Sequence, residues 1–314
     1  MLVVTGGAGF IGSNLVRALN RSGARDVVVV DDLTDGRKFA NLVGCDVADY
    51  FDRDEFAERL RSRAFERPDA ILHQGACAVT TEWDGRYMME VNYRYSVGLL
   101  EYCLAESVPL IYASSAAVYG ASTVFKESDR AAERPLNVYG YSKLLFDDYV
   151  RRRLPSARSQ IVGLRYFNVY GPGEAHKGSM ASVAWHLHNQ VGTDGEARLF
   201  GAGAGCAAGE HRRDFVYVDD VVDVILWLLE APRVSGIFNV GTGASATFNE
   251  LARAVLEWHG KGSIRYIPFP AELEKSYQSF TQADLGALRA AGYTGAFRDV
   301  RAGVRAYLDA LGRS

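Results

Sequence analysis

The chain has 314 residues, a formal net charge of −3 and a hydrophobic fraction of 48%. A chain of this length can bury a large core, and its mild acidity argues against a surface for nucleic acids. No apolar run approaches the ~20 residues of a membrane span, and no early stretch has the pattern of a signal peptide. We therefore expect a cytoplasmic protein that contacts neither membranes nor nucleic acids.

The cysteines and histidines do not suggest a disulfide framework or a metal site. Only His186 and His188 are close in sequence among the histidines, and helical spacing turns them apart. We therefore predict no bound metal and reduced thiols. The four cysteines are scattered without C-x-x-C spacing: Cys45, Cys77, Cys103 and Cys206.

Apolar runs alternate with helical patterns along the chain. The helical patterns include residues 87–104 and 142–152. This alternation predicts an α/β fold, a Rossmann doubly wound parallel sheet with a smaller, interleaved C-terminal substrate lobe. The predicted strands are residues 2–4, 27–30, 70–73, 110–113 and 161–164.

The alternation becomes irregular after Arg165, which suggests a second lobe. We predict a dinucleotide-binding domain over 1–166, to which 214–240 returns, and a substrate lobe over 167–213 and 241–314. The substrate is expected between these lobes. The small-residue loop 202–209 is interpreted either as a rim of the substrate pocket or as a tolerated insertion.

A glycine motif follows the first predicted strand and opens a helical pattern. Gly6 permits a tight turn, Gly9 admits a pyrophosphate close to the backbone, and Gly12 allows close packing of helix and strand. The second strand ends in Asp31 and Asp32, about where a carboxylate meets the adenosine ribose. Together these features predict dinucleotide binding.

A second motif pairs a tyrosine with a lysine at four-residue spacing. Tyr139 and Lys143 share one face of a helix, so the ammonium is expected to lower the pKa of the phenol. Ser115 ends the predicted strand 110–113, at the sheet edge where ligands gather. The three side chains are typical of a site that exchanges a proton with an alcohol.

These elements, in this order, resemble the extended short-chain dehydrogenase/reductase family, which oxidises, dehydrates or epimerises nucleotide-linked sugars. The resemblance covers essentially the whole chain, and it is most specific for the branch that inverts C6 of ADP-heptose. The segments that carry this likeness are 80–89 (TTEWDGRYMM), 135–143 (PLNVYGYSK), 165–172 (RYFNVYGP), 176–182 (HKGSMAS) and 277–284 (YQSFTQAD).

The resemblance implies an isomerase that makes a precursor of the lipopolysaccharide inner core in a Gram-negative bacterium. The C6 hydrogen is too weakly acidic for direct removal, so inversion proceeds by oxidation to a 6-keto intermediate and reduction on the opposite face. Turning the intermediate over requires a second proton-transfer residue. The resemblance implies Lys177 as this residue, beside the catalytic Tyr139, Lys143 and Ser115. Which of Tyr139 and Lys177 acts in which direction stays open.

The resemblance implies one tightly bound NADP per subunit. The branch is expected to have asparagine where this chain has Asp32, so NAD stays open as the alternative. Arg37 and Lys38 are the cations that follow the second strand and could meet a 2′-phosphate. The implied cofactor-binding residues are Gly6, Gly9, Phe10, Ile11, Gly12, Asp31, Asp32, Lys38, Arg53, Gln74, Gly75, Ala76, Asn92 and Lys143.

The resemblance also implies a set of residues around the ADP-heptose substrate. Arg213 suits the diphosphate, because guanidinium binds phosphate oxygens in a forked geometry. An ion pair of Arg213 with Asp214 or Asp219 is the structural alternative. The implied substrate-binding residues are Asn168, Val169, Ser179, His186, Phe200, Arg213 and Tyr277.

Family members associate, so we expect a homo-oligomer, with a pentamer implied by the heptose branch. One alternative function is a 4-epimerase or 4,6-dehydratase of the same family, although Ala116 and Ala117 stand where a dehydratase would need an acid and a base. Another is a noncatalytic dinucleotide-sensing module, which would typically lack Tyr139.

Overall fold

The computed structural model of the protein describes residues 1–271, 274 and 277–312. The other residues of the predicted range 241–314 lie outside the described part. The strands of the described part are β1 (Leu2–Thr5), β2 (Val27–Asp31), β3 (Asp49–Asp52), β4 (Ala70–His73), β5 (Leu110–Ser115), β6 (Ile161–Tyr166), β7 (Asn168–Tyr170), β8 (Glu196–Phe200), β9 (Arg212–Arg213), β10 (Phe215–Tyr217), β11 (Gly236–Val240), β12 (Ala246–Thr247) and β13 (Ser263–Ile267).

Helices alternate with these strands. A π-helical segment, Met89–Arg94, joins the third helix to the fourth, and short 3₁₀ turns include Gly36–Asn41 and Ala175–Met180. The α-helices of the described part are α1 (Phe10–Arg21), α2 (Arg53–Arg61), α3 (Gly85–Met88), α4 (Tyr95–Glu106), α5 (Val138–Arg153), α6 (Val183–Asp194), α7 (Val218–Glu230), α8 (Phe248–His259), α9 (Gly286–Ala290) and α10 (Val300–Leu311).

The main sheet has seven strands in the order β11-β6-β5-β4-β1-β2-β3. The pairings from β3 through β5 are parallel. Strands of such a sheet are covered on both faces, which explains why Val3, Val4 and the run 27–30 are buried and apolar. The five predicted strands are confirmed, and each begins at the predicted residue. The chain order reverses between β1 and β4, as in a Rossmann doubly wound fold.

The predicted helix over 87–104 differs from the structure, because the π-helical segment interrupts it. Asn92 lies in that segment, where its Oδ1 accepts a hydrogen bond from the Cys77 backbone N–H at 2.8 Å. Its Nδ2 donates to the Cys77 carbonyl oxygen at 3.0 Å. A π-helical turn adds a residue without breaking the helix, and such turns are frequent at functional sites.

The chain divides into two compact units. The first comprises Met1–Val118, Pro135–Arg165 and Val222–Phe238, and the second comprises Tyr119–Arg134, Tyr166–Val221 and Asn239–Ser314. The second unit contains the two-stranded pairs β7–β10, β8–β13 and β9–β12.

Residues 119–134 were expected in the dinucleotide-binding domain, but they cluster with the second unit. The Tyr119 hydroxyl donates to Asn239 Oδ1 at 2.8 Å, and its ring packs against Phe125 and Phe167. These contacts with residues distant in sequence place 119–134 in the second unit, although the segment follows β5 in the chain.

A buried ion pair ties α5 to β6 in the first unit. Arg165 Nε donates to Asp147 Oδ2 at 2.8 Å, and both side chains are fully buried. The same carboxylate accepts from the Tyr112 hydroxyl at 2.9 Å and from Ser114 Oγ at 3.0 Å, both on β5. One carboxylate therefore connects three neighbouring elements.

Replacing Arg165 with leucine should destabilise the protein by about 3–5 kcal/mol, because it leaves the Asp147 carboxylate buried without its cation. Urea unfolding followed by circular dichroism measures this change. The matched control is Arg265→Leu, which removes an exposed pair with Glu196 and should cost about 0–1 kcal/mol. Equal effects of the two substitutions would contradict the role given to the buried pair.

Candidate active site

The predicted glycine turn lies at the carboxyl end of β1 and leads into α1. Gly6 has a φ of +69°, and a Cβ there would lie 2.5 Å from the Cα of Gly75. A Cβ on Gly12 would lie 2.1 Å from the Gly6 carbonyl oxygen. Gly9 caps α1 with no side-chain hydrogen bond, so the N–H groups of the first turn stay available for an anion. The turn thus has the shape of a phosphate cradle.

A cavity of about 200 Å³ adjoins this turn in the first unit. Seven of the predicted cofactor residues line it: Gly6, Asp31, Asp32, Lys38, Arg53, Gly75 and Ala76. Residues that the sequence did not single out also line it: Thr5, Val30, Thr34, Asp35, Cys77, Tyr87, Val91 and Tyr95. Most of these are apolar or small polar side chains of the cavity wall, and no local sequence pattern distinguishes them from similar residues elsewhere.

Two carboxylates and two cations meet at one end of this cavity. Asp31 accepts a hydrogen bond from the Ala8 backbone N–H at 2.8 Å and pairs with Lys38 Nζ at 2.6 Å. Asp32 Oδ2 lies 3.6 Å from an Arg53 guanidinium nitrogen. Arg37, the other candidate cation, is 78% exposed and pairs with Asp35. Lys38 and Arg53 are therefore the cations at the cavity wall.

The remaining predicted cofactor residues surround the glycine turn without lining the cavity. Phe10 and Ile11 form the first turn of α1. The Gln74 backbone N–H donates to the Thr5 carbonyl oxygen at 2.9 Å, which places Gln74 beside the end of β1. Asn92 holds the backbone of Cys77, which does line the cavity. These four residues thus lie at the glycine turn or next to residues that line its cavity.

Ser115 and Tyr139 meet in the first unit. Ser115 ends β5, and its hydroxyl is near enough to the phenol of Tyr139, the second residue of α5, to lower the pKa of that phenol. Asn137 caps this helix by accepting from the Gly140 N–H at 2.8 Å. A Cβ on Gly140 would lie 2.6 Å from the Ala117 carbonyl oxygen, so glycine allows the helix to approach the end of β5.

The pKa of Tyr139 departs from expectation. Burial raises the pKa of the phenol, and among the described residues it is the Ser115 hydroxyl that opposes this effect, where we expected Lys143 to do so. The Lys143 ammonium instead donates to the Ala113 carbonyl oxygen at 2.8 Å. Its direct partner in the structure is therefore the β5 backbone.

Lys143 itself is 4% exposed. Burial lowers the pKa of Lys143 to about 8, while the nearby Asp147 carboxylate acts in the opposite direction. Asp147 lies one helical turn after Lys143 and was not predicted as a site residue. Its tyrosine, serine and arginine partners are distant in sequence, so no local signal identifies it.

In the second unit, Lys177 lies in the turn Ala175–Met180. Burial lowers the pKa of Lys177, and the charge of Glu174 opposes this shift. Glu174 is buried and accepts from the Ser182 N–H and the Ser182 hydroxyl, each at 2.6 Å. A lysine whose pKa is lowered by burial can act as a proton-transfer group.

A second cavity, of about 280 Å³, lies within the second unit. His186, Phe200 and Tyr277 are the predicted substrate residues that line it. Residues missed by the sequence analysis complete the lining: Val183, Leu187, Gln190, Arg198, Leu199, Gly209, His211, Phe248 and Ile267. Of the other predicted substrate residues, Asn168 and Ser179 are exposed, and Val169 pairs with Val216 between β7 and β10.

Arg213 is 8% exposed and lies over two aromatic rings, 5.1 Å from the Tyr277 ring centroid and 5.7 Å from that of Phe248. Its Nη1 donates to the Arg212 carbonyl oxygen. Within the described ranges it forms no ion pair, so the alternative of a pair with Asp214 or Asp219 is wrong. A buried guanidinium that lacks a carboxylate is suited to an anionic ligand.

The loop 202–209 begins with a tight turn. The N–H groups of Gly203 and Cys206 each donate to the other residue's carbonyl oxygen, at 3.1 and 3.0 Å. Ala204 has a φ of +47° and Gly205 a φ of +77°. Gly209, at the loop's end, lines the 280 Å³ cavity. This contact favours the interpretation of the loop as a rim of that cavity.

All four cysteines lie in the described part and are free thiols. The ranges that the structure describes contain no group of three or more potential metal-binding side chains. Among the helices of those ranges, none is long and apolar enough to cross a membrane.

The lowered pKa of Lys143 should make the free energy of unfolding depend on pH. From about pH 8 to 10.5, the folded chain releases a proton that the unfolded chain retains, so stability rises with pH. Relative to Lys143→Met, which lacks the group, the wild-type free energy of unfolding should gain about 3 kcal/mol over this window. Urea unfolding at pH 7, 8, 9 and 10 measures the difference, and a constant difference would contradict the shift.

Comparisons with known proteins agree with this geometry. The family model of the NAD dependent epimerase/dehydratase family matches residues 2–241. The chain is 57% identical to an ADP-L-glycero-D-manno-heptose-6-epimerase from Alkalilimnicola ehrlichii over 99% of this chain and 97% of that protein. It also resembles two solved structures. The ADP-L-glycero-D-manno-heptose-6-epimerase of Helicobacter pylori has a TM-score of 0.86 and 32% identity, covering 100% of this chain and 96% of that one. The UDP-glucose 4-epimerase of Thermus thermophilus, in complex with NAD, has a TM-score of 0.77 and 30% identity, covering 98% and 97%. The chain therefore belongs to the NAD dependent epimerase/dehydratase family.

Proposed function

We propose that the protein is an isomerase that converts ADP-D-glycero-β-D-manno-heptose to ADP-L-glycero-β-D-manno-heptose by inverting C6. The observation that carries this function is the 57% identity, over 99% of the chain, to an ADP-L-glycero-D-manno-heptose-6-epimerase. The Ser115, Tyr139 and Lys143 arrangement supplies the chemistry that such a reaction needs. The product is a precursor of the lipopolysaccharide inner core.

The C6 hydrogen is not adjacent to a carbonyl group, so no side chain can remove it as a proton. A nicotinamide cofactor, held by the residues around the glycine turn, would supply the hydride transfer that oxidises C6 and reduces it again on the opposite face. The reaction then passes through a 6-keto sugar and has no net redox change. The protein's own residues must therefore bind the sugar in two poses and move a proton in each.

Tyr139 is the proton-transfer residue of one pose. The Ser115 hydroxyl stabilises its phenolate, which favours removal of a proton from the sugar hydroxyl. The same serine can donate to the reacting oxygen. Lys143 donates to the Ala113 carbonyl oxygen, which places its ammonium on β5, two residues before Ser115.

Lys177 is the proton-transfer residue of the other pose. Burial moves the pKa of Lys177 toward neutral pH, and a pKa nearer to neutral pH suits proton exchange with an alcohol or ketone.

For the substrate we assign the diphosphate to Arg213, whose buried guanidinium has no carboxylate among the described residues. The ADP moiety also uses the aromatic cavity that Tyr277 and Phe200 line. The full set of proposed substrate residues is Asn168, Val169, Ser179, His186, Phe200, Arg213 and Tyr277.

The cofactor is a nicotinamide dinucleotide, and we assign it as NADP, one per subunit. Lys38 and Arg53 provide two cations at the cavity wall, and each already contacts a carboxylate. In NADP, the 2′-phosphate can replace these carboxylates as the partner of the two cations. In NAD, the ribose hydroxyls would instead donate hydrogen bonds to the acidic residues. The negative charge of Asp32 opposes the assignment to NADP, because it would repel the 2′-phosphate.

We place the reaction in the cytoplasm, where sugar nucleotides are made, and assign the protein as a homo-oligomer, specifically a pentamer. These two assignments rest on the likeness to the heptose epimerases, and sedimentation analysis of the purified protein tests the second.

Purified protein incubated with ADP-D-glycero-β-D-manno-heptose, with no added reductant, should equilibrate the two C6 epimers, which chromatography separates. Tyr139→Phe and Lys177→Met should each lower the rate by about 10²–10⁴-fold, because each removes a proton-transfer group. The matched controls, Tyr141→Phe and Lys261→Met, alter exposed residues and should retain activity. An unreacted heptose together with turnover of UDP-hexoses would overturn the proposed substrate.

Lys38→Met should weaken NADP binding by about 10- to 100-fold, because it removes a charge-assisted contact to the 2′-phosphate. NAD binding should change by less than about threefold, since that cofactor lacks the phosphate. Calorimetric titration of both cofactors measures the difference. Arg37→Met, in the same loop but outside the cavity lining, is the control and should change neither affinity. A parallel loss of both cofactors in Lys38→Met would contradict the NADP assignment.

A further inference from the structure

Lys177 lies on a short segment, Ala175–Met180, that contains little regular structure of its own. Gly178 has a φ of +55° and a ψ of −124°, so the helical conformation is interrupted one residue after Lys177. Short 3₁₀ turns also have poorer hydrogen-bond geometry than an α-helix. The position of the Lys177 side chain therefore depends on the contacts that hold the two ends of this segment.

The Glu174 carboxylate connects these two ends. Its Oε2 accepts a hydrogen bond from the Ser182 backbone N–H at 2.6 Å. Its Oε1 accepts from the Ser182 hydroxyl at 2.6 Å and from the Gly171 backbone N–H at 3.4 Å. Gly171 precedes the segment and Ser182 follows it, so one side chain closes the loop that carries Lys177. Glu174 is fully buried, and a carboxylate, which only accepts hydrogen bonds, matches these three donors.

Ser182 extends this connection to α6. Its Oγ accepts a hydrogen bond from the Trp185 backbone N–H at 3.2 Å, which makes Ser182 the N-cap of the helix. Val183 and His186, near the start of α6, line the 280 Å³ cavity. The contacts of one buried carboxylate therefore fix both the segment that carries Lys177 and the helix that forms part of the cavity wall.

The charge of Glu174 also acts on Lys177. It raises the pKa of the ammonium, against the larger effect of burial. Tyr307, on α10, is a second titratable side chain near this carboxylate. Burial and the charge of Glu174 both raise the pKa of its phenol, so Tyr307 is neutral near neutral pH. Removal of the Glu174 charge should therefore move the ionisation of Lys177 to lower pH.

We propose that Glu174 is a positioning residue for Lys177, whose carboxylate closes the loop between Gly171 and Ser182 and so holds the lysine side chain in place for proton transfer. This inference rests on the proposed function, in which Lys177 exchanges a proton with the sugar. Glu174 has no exposed surface, so it acts through Lys177 and through the fold of the loop.

The test is the pH–rate profile of ADP-heptose epimerisation by the cofactor-loaded Glu174→Gln variant. Glutamine keeps the size of the side chain and one acceptor oxygen, but it lacks the charge. The maximal rate should fall by about 10- to 100-fold, because a displaced proton-transfer group reacts slowly. The limb of the profile that Lys177 governs, identified by its absence in Lys177→Met, should move to lower pH by about one pH unit. His176, on the same segment, is present in every variant, so its titration is common to all profiles.

Two further variants separate the charge from the loss of a buried carboxylate. Glu174→Asp keeps the charge on a shorter side chain, so its rate should fall while the Lys177 limb stays at the wild-type pH. Asp214→Asn is the matched control. It removes another fully buried carboxylate of the second unit, which accepts from the Thr242 and Ala283 backbone N–H groups, and should leave the Lys177 limb in place.

Circular dichroism shows whether each variant is folded. If Glu174→Gln is not, Ser182→Ala loosens the loop without removing the charge, and its rate should fall by about tenfold with the limb unmoved. A wild-type rate in whichever of these two variants is measured would overturn the inference, as would an unmoved limb in Glu174→Gln or an equal movement in Glu174→Asp. Epimerisation by wild type that is lost in Lys177→Met would leave the proposed function intact. If wild type did not epimerise ADP-heptose, the proposed function and the inference would both be wrong.

Discussion

The hydrogen bonds and the ion pair of the buried Asp147 carboxylate hold together the end of the first unit that carries Ser115 and Tyr139. It accepts hydrogen bonds from Tyr112 and Ser114 on β5 and pairs with Arg165 on β6. A buried charge requires polar partners, and these contacts hold α5 against β5 and β6. That position puts Tyr139 against Ser115. The same charge also opposes the loss of the proton from buried Lys143, so one residue contributes to both geometry and electrostatics.

The two sites use charge in different ways. In the dinucleotide cavity, Lys38 already contacts Asp31, so an arriving phosphate must compete with a protein carboxylate. In the second unit, Arg213 is covered by aromatic rings and has no carboxylate among the described residues, so an anion meets an uncompensated cation. The first arrangement favours discrimination between ligands, whereas the second favours affinity.

The strands and the glycine turn were predictable from sequence, because apolar runs and glycine spacing are local signals. The meeting of Ser115 and Tyr139 followed from placing one at a strand end and the other on the next helix. Asp147 was missed, since its importance comes from partners that are distant in the chain. The direction of the Tyr139 pKa was also wrong, because spacing shows which charges are near but not how deeply the phenol is buried. Lys177 was accessible only through resemblance, as nothing in its local pattern distinguishes it from a surface lysine.

The π-helical turn at Met89–Arg94 has a consequence for how this chain tolerates insertions and deletions. An α-helix advances about 100° per residue, so the additional residue in that turn sets the rotational phase of everything in α4. Leu99, Leu100 and Cys103 face the core only because of this phase. Loss of a single residue from the turn would return the local backbone to ordinary α-helix. It would also rotate the buried face of α4 away from the core. The two hydrogen bonds between the Asn92 side chain and the Cys77 backbone would then be lost.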